Sequence, residues 1–162
     1  MKKAVYPGSF DPITYGHLDL IKRGLEIADK LVIAVLVNPM KQPLFATEER
    51  VEMVKRAVKG LRRVEVDHFD GLLVDYLKRK GSSTVIRGLR AISDFEYEFQ
   101  MALMNRRLSP KAETVFMMPA EPYTYLSSNI VREIARRGGK VNGLVPSHVV
   151  AALRARLGPR RT

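Results

Sequence analysis

The chain has 162 residues, enough for one domain whose core needs neither a disulfide nor a structural metal. It contains no cysteine, which excludes a disulfide framework, a thiolate nucleophile and a cysteine-ligated zinc site, and accords with a reducing compartment. Lys and Arg number 28 against 17 Asp and Glu, and the resulting net charge of +11 favours polyanionic partners such as nucleic acid, acidic lipid or nucleotide phosphates.

The N-terminal MKKAVYPGSF meets proline and glycine before an apolar run reaches signal-peptide length, and no later run is long enough to span a bilayer. The expectation is a cytoplasmic chain, neither exported nor membrane-embedded. Five short apolar, β-branched runs then recur: Ala4-Val5-Tyr6, Leu31 to Val37, Val64-Glu65-Val66, Thr84-Val85-Ile86 and Thr114 to Met117. The second, LVIAVLV, is apolar throughout, as a parallel strand buried on both faces must be. Between the runs lie helical periods. Val51, Val54 and Val58 share a face behind Thr47, the expected N-cap, and Glu48-Glu49; Ile92, Phe95, Phe99, Ala102 and Leu103 make a second apolar stripe. After Met118 the pattern changes to a Pro-containing loop, a helix over 128–137, a Gly138-Gly139 stop, and a last helix after Pro146 with Val149, Val150, Leu153 and Leu157 inward.

Strand-helix alternation with short connections predicts an α/β fold: a Rossmann-like, doubly wound parallel sheet of about five strands with C-terminal helices. With no repeat, low-complexity tract or linker, residues 1–162 read as a single domain, about 158–162 being a flexible tail. Much of the basic surplus, in Arg106-Arg107, Arg136-Arg137, Arg154, Arg156, Arg160 and Arg161, reads as solvated helix faces and that tail.

Ligands of such sheets bind beyond the carboxyl ends of the strands. There the sequence places Gly8-Ser9-Phe10-Asp11-Pro12, Asn38-Pro39-Met40-Lys41, Phe69 to Leu73, Arg87-Gly88-Leu89-Arg90, and Pro119 to Asn129. In the first turn Gly8 permits close backbone approach, and Thr14 can cap a helix whose first turn holds Gly16 and His17. Free amides at that helix start favour phosphate, and the positive dipole end favours a neutral His17 ring that donates one hydrogen bond.

Ser9-Phe10-Asp11-Pro12 with Thr14-Tyr15-Gly16-His17 resembles the first-turn motif of the nucleotidylyltransferase superfamily, whereas the dinucleotide G-x-G-x-x-G and the Walker lysine motif are absent. Tyr125 to Arg132 resembles that superfamily's late I-S-S-T-x-x-R signature; Ser128 is the expected helix cap, and Asn129 stands where Thr or Ser is usual. The long middle segment VIRGLRAISDFEYEFQMALMNRRL narrows the likeness, from about Lys3 to Leu157, to the phosphopantetheine adenylyltransferase family of coenzyme A synthesis. That resemblance implies adenylyl transfer from ATP to 4′-phosphopantetheine, giving dephospho-coenzyme A and pyrophosphate. It implies His17 as the catalytic residue, and Ser9, Lys41, Leu73 and Arg87 as acceptor-binding residues. For ATP it implies Ser9, Phe10, His17, Gly88, Leu89, Arg90, Glu98, Tyr123, Thr124, Tyr125, Leu126, Ser127, Ser128 and Asn129. It also implies a homohexamer, feedback inhibition by coenzyme A, and Mg²⁺ carried on ATP, since no compact metal-ligand set is visible and no protein metal ligand is assigned. On the residues alone, Leu73 reads as core, Lys41 as an even choice between ligand and loop charge, and Asp94 as a further cap; Glu96 and Glu98 fit a solvated helix face. Nicotinamide mononucleotide and glycerol phosphate remain alternative acceptors, and a basic RNA-binding module is the non-enzymatic alternative, although no RNP, KH or zinc-finger pattern is present.

Overall fold

The computed structural model describes residues 2–40 and 42–158, with the side chains of Ile92 and Ser93 excepted. Lys41 and the basic tail from Pro159 lie outside the described residues. In chain order the elements are β1 (Lys3–Gly8), α1 (Tyr15–Ile27), β2 (Lys30–Leu36), α2 (Thr47–Ala57), β3 (Val64–Phe69), α3 (Leu73–Lys80), β4 (Thr84–Gly88), α4 (Ile92–Leu108), β5 (Glu113–Met117), a short 3₁₀ turn (Glu121–Tyr123), α5 (Ser128–Arg136) and α6 (Ser147–Leu157).

The five strands form one sheet in the order β3-β2-β1-β4-β5, and every pairing is parallel. The expected Rossmann-like architecture is therefore present. Strand order reverses between β1 and β4, and this is where an open α/β sheet leaves a crevice at its carboxyl edge. Gly8, Leu36 and Gly88 end their strands there, so the loops that follow them converge.

Alternate strand residues feed two cores. Leu31, Ile33 and Val35 point to the side covered by α1, α2, α5 and α6, while Val32 and Ala34 point to the side carrying Tyr76 and Leu77 of α3. This explains why LVIAVLV is apolar without alternation. Both Val54 and Val58 are buried, as the helical period predicts, and Val51 is partly so.

One expectation needs correction. Thr47 does not cap α2: Ala46 is the N-cap residue, its amide bonded to the Glu49 carboxylate at 2.8 Å, while the Thr47 hydroxyl accepts from Arg50. Of the apolar stripe of α4, Phe95, Phe99 and Leu103 belong to neither core. Phe95, Phe99 and Leu103 stay about half exposed, with Phe95 stacked on Phe99 and edge-on to Phe116. Periodicity reports an apolar face, not what covers it.

Candidate active site

The first turn is shaped by packing. Phe10 is 1% exposed and adopts φ 47°, a left-handed conformation uncommon for a bulky residue, and the Asp11-Pro12 bond is cis. The Phe10 ring lies edge-on to Tyr6 and to His17, with centroids 5.4 and 5.0 Å away. A Cβ on Gly8 would stand 3.0 Å from that ring, so glycine lets it close over the strand end. The buried Asp11 carboxylate accepts from the Leu44 and Phe45 amides at 2.8 and 2.9 Å, which ties the first turn to the loop entering α2.

Thr14 caps α1, and the cap is reciprocal: its side chain accepts from the His17 amide, while its own amide donates to His17 Nδ1 at 3.0 Å. An amide hydrogen aimed at Nδ1 requires a lone pair there, so the proton sits on Nε2. Burial, with the charges of Arg90 and Arg87 beside it, lowers the His17 pKa to about 3. The ring is thus a neutral donor whose Nε2–H has no partner among the described residues.

His17 lines a cavity of about 560 Å³ at the carboxyl edge of the sheet. The structure brings there, of the residues expected in the site, Ser9, Phe10, His17, Arg87, Gly88, Arg90, Glu98, Tyr123, Leu126, Ser127, Ser128 and Asn129. Leu73, Leu89, Thr124 and Tyr125 are not in its lining. Leu73 packs beside the core formed by Val5, Val32 and Phe69, Leu89 donates its amide to the Met117 carbonyl, and Tyr125 is exposed.

Four arginines and three carboxylates share the lining. Arg87 grips Glu98 with Nε, at 2.7 Å, and with a terminal nitrogen, while its other nitrogen donates to the Pro7 carbonyl at 2.6 Å. Burial disfavours the Arg87 charge, but the Glu98 bond outweighs it and raises the guanidinium above its ordinary range. Arg90 pairs with Asp94 at 3.0 Å, so Asp94 is an ion-pair partner and Ala91 the N-cap residue of α4. Arg132 bonds the Asp11 carbonyl and Asn129 Oδ1, and lies 3.4 Å from the Asp11 carboxylate. Asn129 therefore acts as an acceptor where a hydroxyl is usual.

The expected cap of α5 is also corrected. Ser127 caps it, accepting from the Ile130 amide at 3.2 Å, while the Ser128 hydroxyl donates to the Pro12 carbonyl at 2.8 Å and staples α5 to the first turn. Asp19 of α1 accepts from the Ala120 amide at 3.0 Å and holds the fifth loop. Sequence reasoning gave no place to Arg50, which lines the cavity from α2; a lone arginine inside a helical period carries no signal that it turns inward.

The cytidylyltransferase-like family matches residues 5–134. The chain is similar to a phosphopantetheine adenylyltransferase of Caldanaerobacter subterraneus subsp. tengcongensis, 56% identical over 153 residues, which cover 94% of this chain and 96% of that one. It is similar also to a phosphopantetheine adenylyltransferase of Clostridium botulinum, 53% identical over 161 residues, 99% of this chain and 98% of that one. The chain belongs to the phosphopantetheine adenylyltransferase family, within the cytidylyltransferase-like group.

Proposed function

We propose that this chain is one nucleotidyltransferase domain that joins the adenylyl group of ATP to the phosphate of 4′-phosphopantetheine, with release of pyrophosphate. The observation that carries the reading is His17, a neutral Nε2–H donor fixed by its own helix cap among arginines at the sheet's switch point. A phosphate monoester, whose second pKa is about 6, is its own nucleophile near neutral pH. One of its oxygens bonds to the α-phosphorus as the bond from that phosphorus to the β-bridging oxygen breaks, and the electron pair leaves with pyrophosphate. The protein supplies alignment and charge. His17 donates to the α-phosphoryl oxygens as their charge grows.

Arg87, with Ser9 and Lys41, holds the acceptor phosphate, Glu98 fixing the orientation of the guanidinium. Arg90 and the Tyr123 to Asn129 segment take the nucleotide, with Gly88 and Phe10 beside them. Each cavity carboxylate, Asp11, Asp94 and Glu98, is committed to an arginine. No group of three or more His, Asp or Glu suited to a metal occurs among the described residues. The pairing of those carboxylates with arginines accords with Mg²⁺ arriving on the triphosphate, where it would supply counter-charge.

Assembly into a homohexamer accords with the half-exposed apolar side chains of α4, among them Phe95, Phe99, Leu103 and Met104. Coenzyme A, which contains the pantetheine arm, fits as a feedback inhibitor of the same cavity. A cytoplasmic location accords with a cysteine-free chain acting on ATP. Among the described residues, no helix is long and apolar enough to cross a membrane. An acceptor panel tests the reading: 4′-phosphopantetheine, nicotinamide mononucleotide and glycerol phosphate, each with ATP and with CTP. Preference for the first acceptor with ATP is expected; preference for another pair contradicts it.

A further inference from the structure

The four cavity arginines are not equivalent. Arg87, Arg90 and Arg132 each hold a carboxylate. Arg50 is 3% exposed and has no ion-pair partner among the described residues. Its guanidinium donates only to neutral oxygens: Nε to the Phe45 carbonyl at 3.1 Å, one terminal nitrogen to the Ser9 and Leu36 carbonyls at 2.7 and 3.0 Å, the other to Thr47 Oγ1 at 3.1 Å. Those oxygens belong to the first turn, the end of β2 and the entry to α2. Burial pushes the guanidinium below its ordinary pKa, with Asp11 and Glu48 opposing.

A buried cation without a counter-ion costs folding free energy that an apolar side chain of similar volume does not, so stability alone does not account for Arg50. The first turn, by contrast, needs restraint. Phe10 holds its left-handed φ of 47° only while its neighbours over-determine it, and the Ser9 carbonyl lies immediately before that strained position. The holding is shared: Asp11 is pinned at its carboxylate by the Leu44 and Phe45 amides and at its carbonyl by Arg132, Pro12 by Ser128, and Ser9 by Arg50.

We propose that Arg50 is a positioning residue of the transfer site: through the Ser9 and Leu36 carbonyls it locks the first turn to the end of β2, and so seats Phe10 against His17. It acts through those carbonyls and takes no part in proton transfer. What it requires is the planar fork. A lysine keeps the charge but, as a point donor, cannot bridge acceptors on three segments.

The inference rests on the adenylyl-transfer reading, and Arg50→Lys and Arg50→Met separate the two. In each folded variant, single-turnover transfer at saturating ATP and 4′-phosphopantetheine should fall at least tenfold while the ATP dissociation constant stays within about threefold. Amide hydrogen exchange over 9–11 should quicken at least tenfold while the β2 and β4 amides keep wild-type protection. Full activity in Arg50→Lys means that charge alone suffices and overturns the proposal, as does wild-type exchange in the turn. Failure of both variants to fold also overturns it, making Arg50 a scaffold residue. A wild-type protein inert toward ATP and 4′-phosphopantetheine contradicts the function itself; the exchange measurement, which needs no acceptor, still decides whether Arg50 fixes the turn.

Discussion

Replacing His17 with alanine removes two separable interactions. The first is the ring's bond to the Thr14 amide, half of the α1 capping box, whose loss should lower stability by about 1 kcal/mol. The second is the Nε2–H donor in the cavity. A preorganised donor to a charge that develops in the transition state is worth about 2.7–4 kcal/mol, so kcat should fall roughly a hundredfold or more while both KM values stay within a few-fold. The pH dependence adds a sharper test. With its pKa at about 3, well below the ordinary 6.5, the folded-state ring is neutral throughout the range above pH 5. The wild-type rate should rise through about pH 6 with the acceptor's second ionisation. The ratio of wild-type to His17→Ala rates should stay flat from pH 5.5 to 9, both ends being about the assay range of a neutral donor. Stability has the opposite-facing signature: a depressed folded pKa gives a contribution fully present above about pH 6.5 and lost as pH falls toward 3. Single-turnover chemistry at saturating substrates reads the rate without product release. A near-wild-type rate in folded His17→Ala, or a ratio that collapses on acidification, refutes the hydrogen-bond role.

Arg87→Ala should raise the acceptor KM by about thirtyfold, on the order of 2 kcal/mol, and the ATP KM less. Because Glu98 is then left uncompensated before an incoming phosphate, the double variant with Glu98→Gln should regain part of the loss; steady-state kinetics on all four proteins closes the cycle. Ser127→Ala should cost about 1 kcal/mol in urea unfolding as the α5 cap is lost. Ser128→Ala should raise the ATP KM with a smaller loss of stability, because it releases the Pro12 carbonyl; equal behaviour of the two variants would show that neither role is distinct. Gly8→Ala should displace the Phe10 ring and lower kcat, with a stability loss of about 1 kcal/mol or more; unaltered turnover in the folded variant contradicts the close packing of Phe10 over β1.

The strands, their parallel pairing and the Thr14 cap were legible because local patterns encode them: LVIAVLV can hardly be other than a doubly covered strand, and Thr14-x-x-His17 closes on itself within one turn. What local pattern does not encode is the choice between adjacent groups of the same chemistry. Ser127 and Ser128 both can cap, and the Pro12 carbonyl, more than a hundred residues away in sequence, takes the second. Glu98 read as a helix-surface acid and Asp94 as a cap because their arginines reach them from a strand end and a loop. Leu73 packs against the second core, as its own apolar character suggested, and lies outside the cavity lining that the family likeness implied for it. The half-exposed face of α4 shows the same limit in reverse: apolar spacing identifies a surface to be buried without naming its partner.

Direct transfer between the two phosphates can be followed with an oxygen label. Purified protein is incubated with ATP, Mg²⁺ and 4′-phosphopantetheine bearing ¹⁸O in its phosphate, and the products are read by ³¹P NMR. One pyrophosphate per dephospho-coenzyme A is expected, with label in the new bridging oxygen between the two joined phosphorus atoms, none in the pyrophosphate, and no pyrophosphate when the acceptor is omitted. Pyrophosphate released without acceptor, or no joined product at all, would contradict direct transfer.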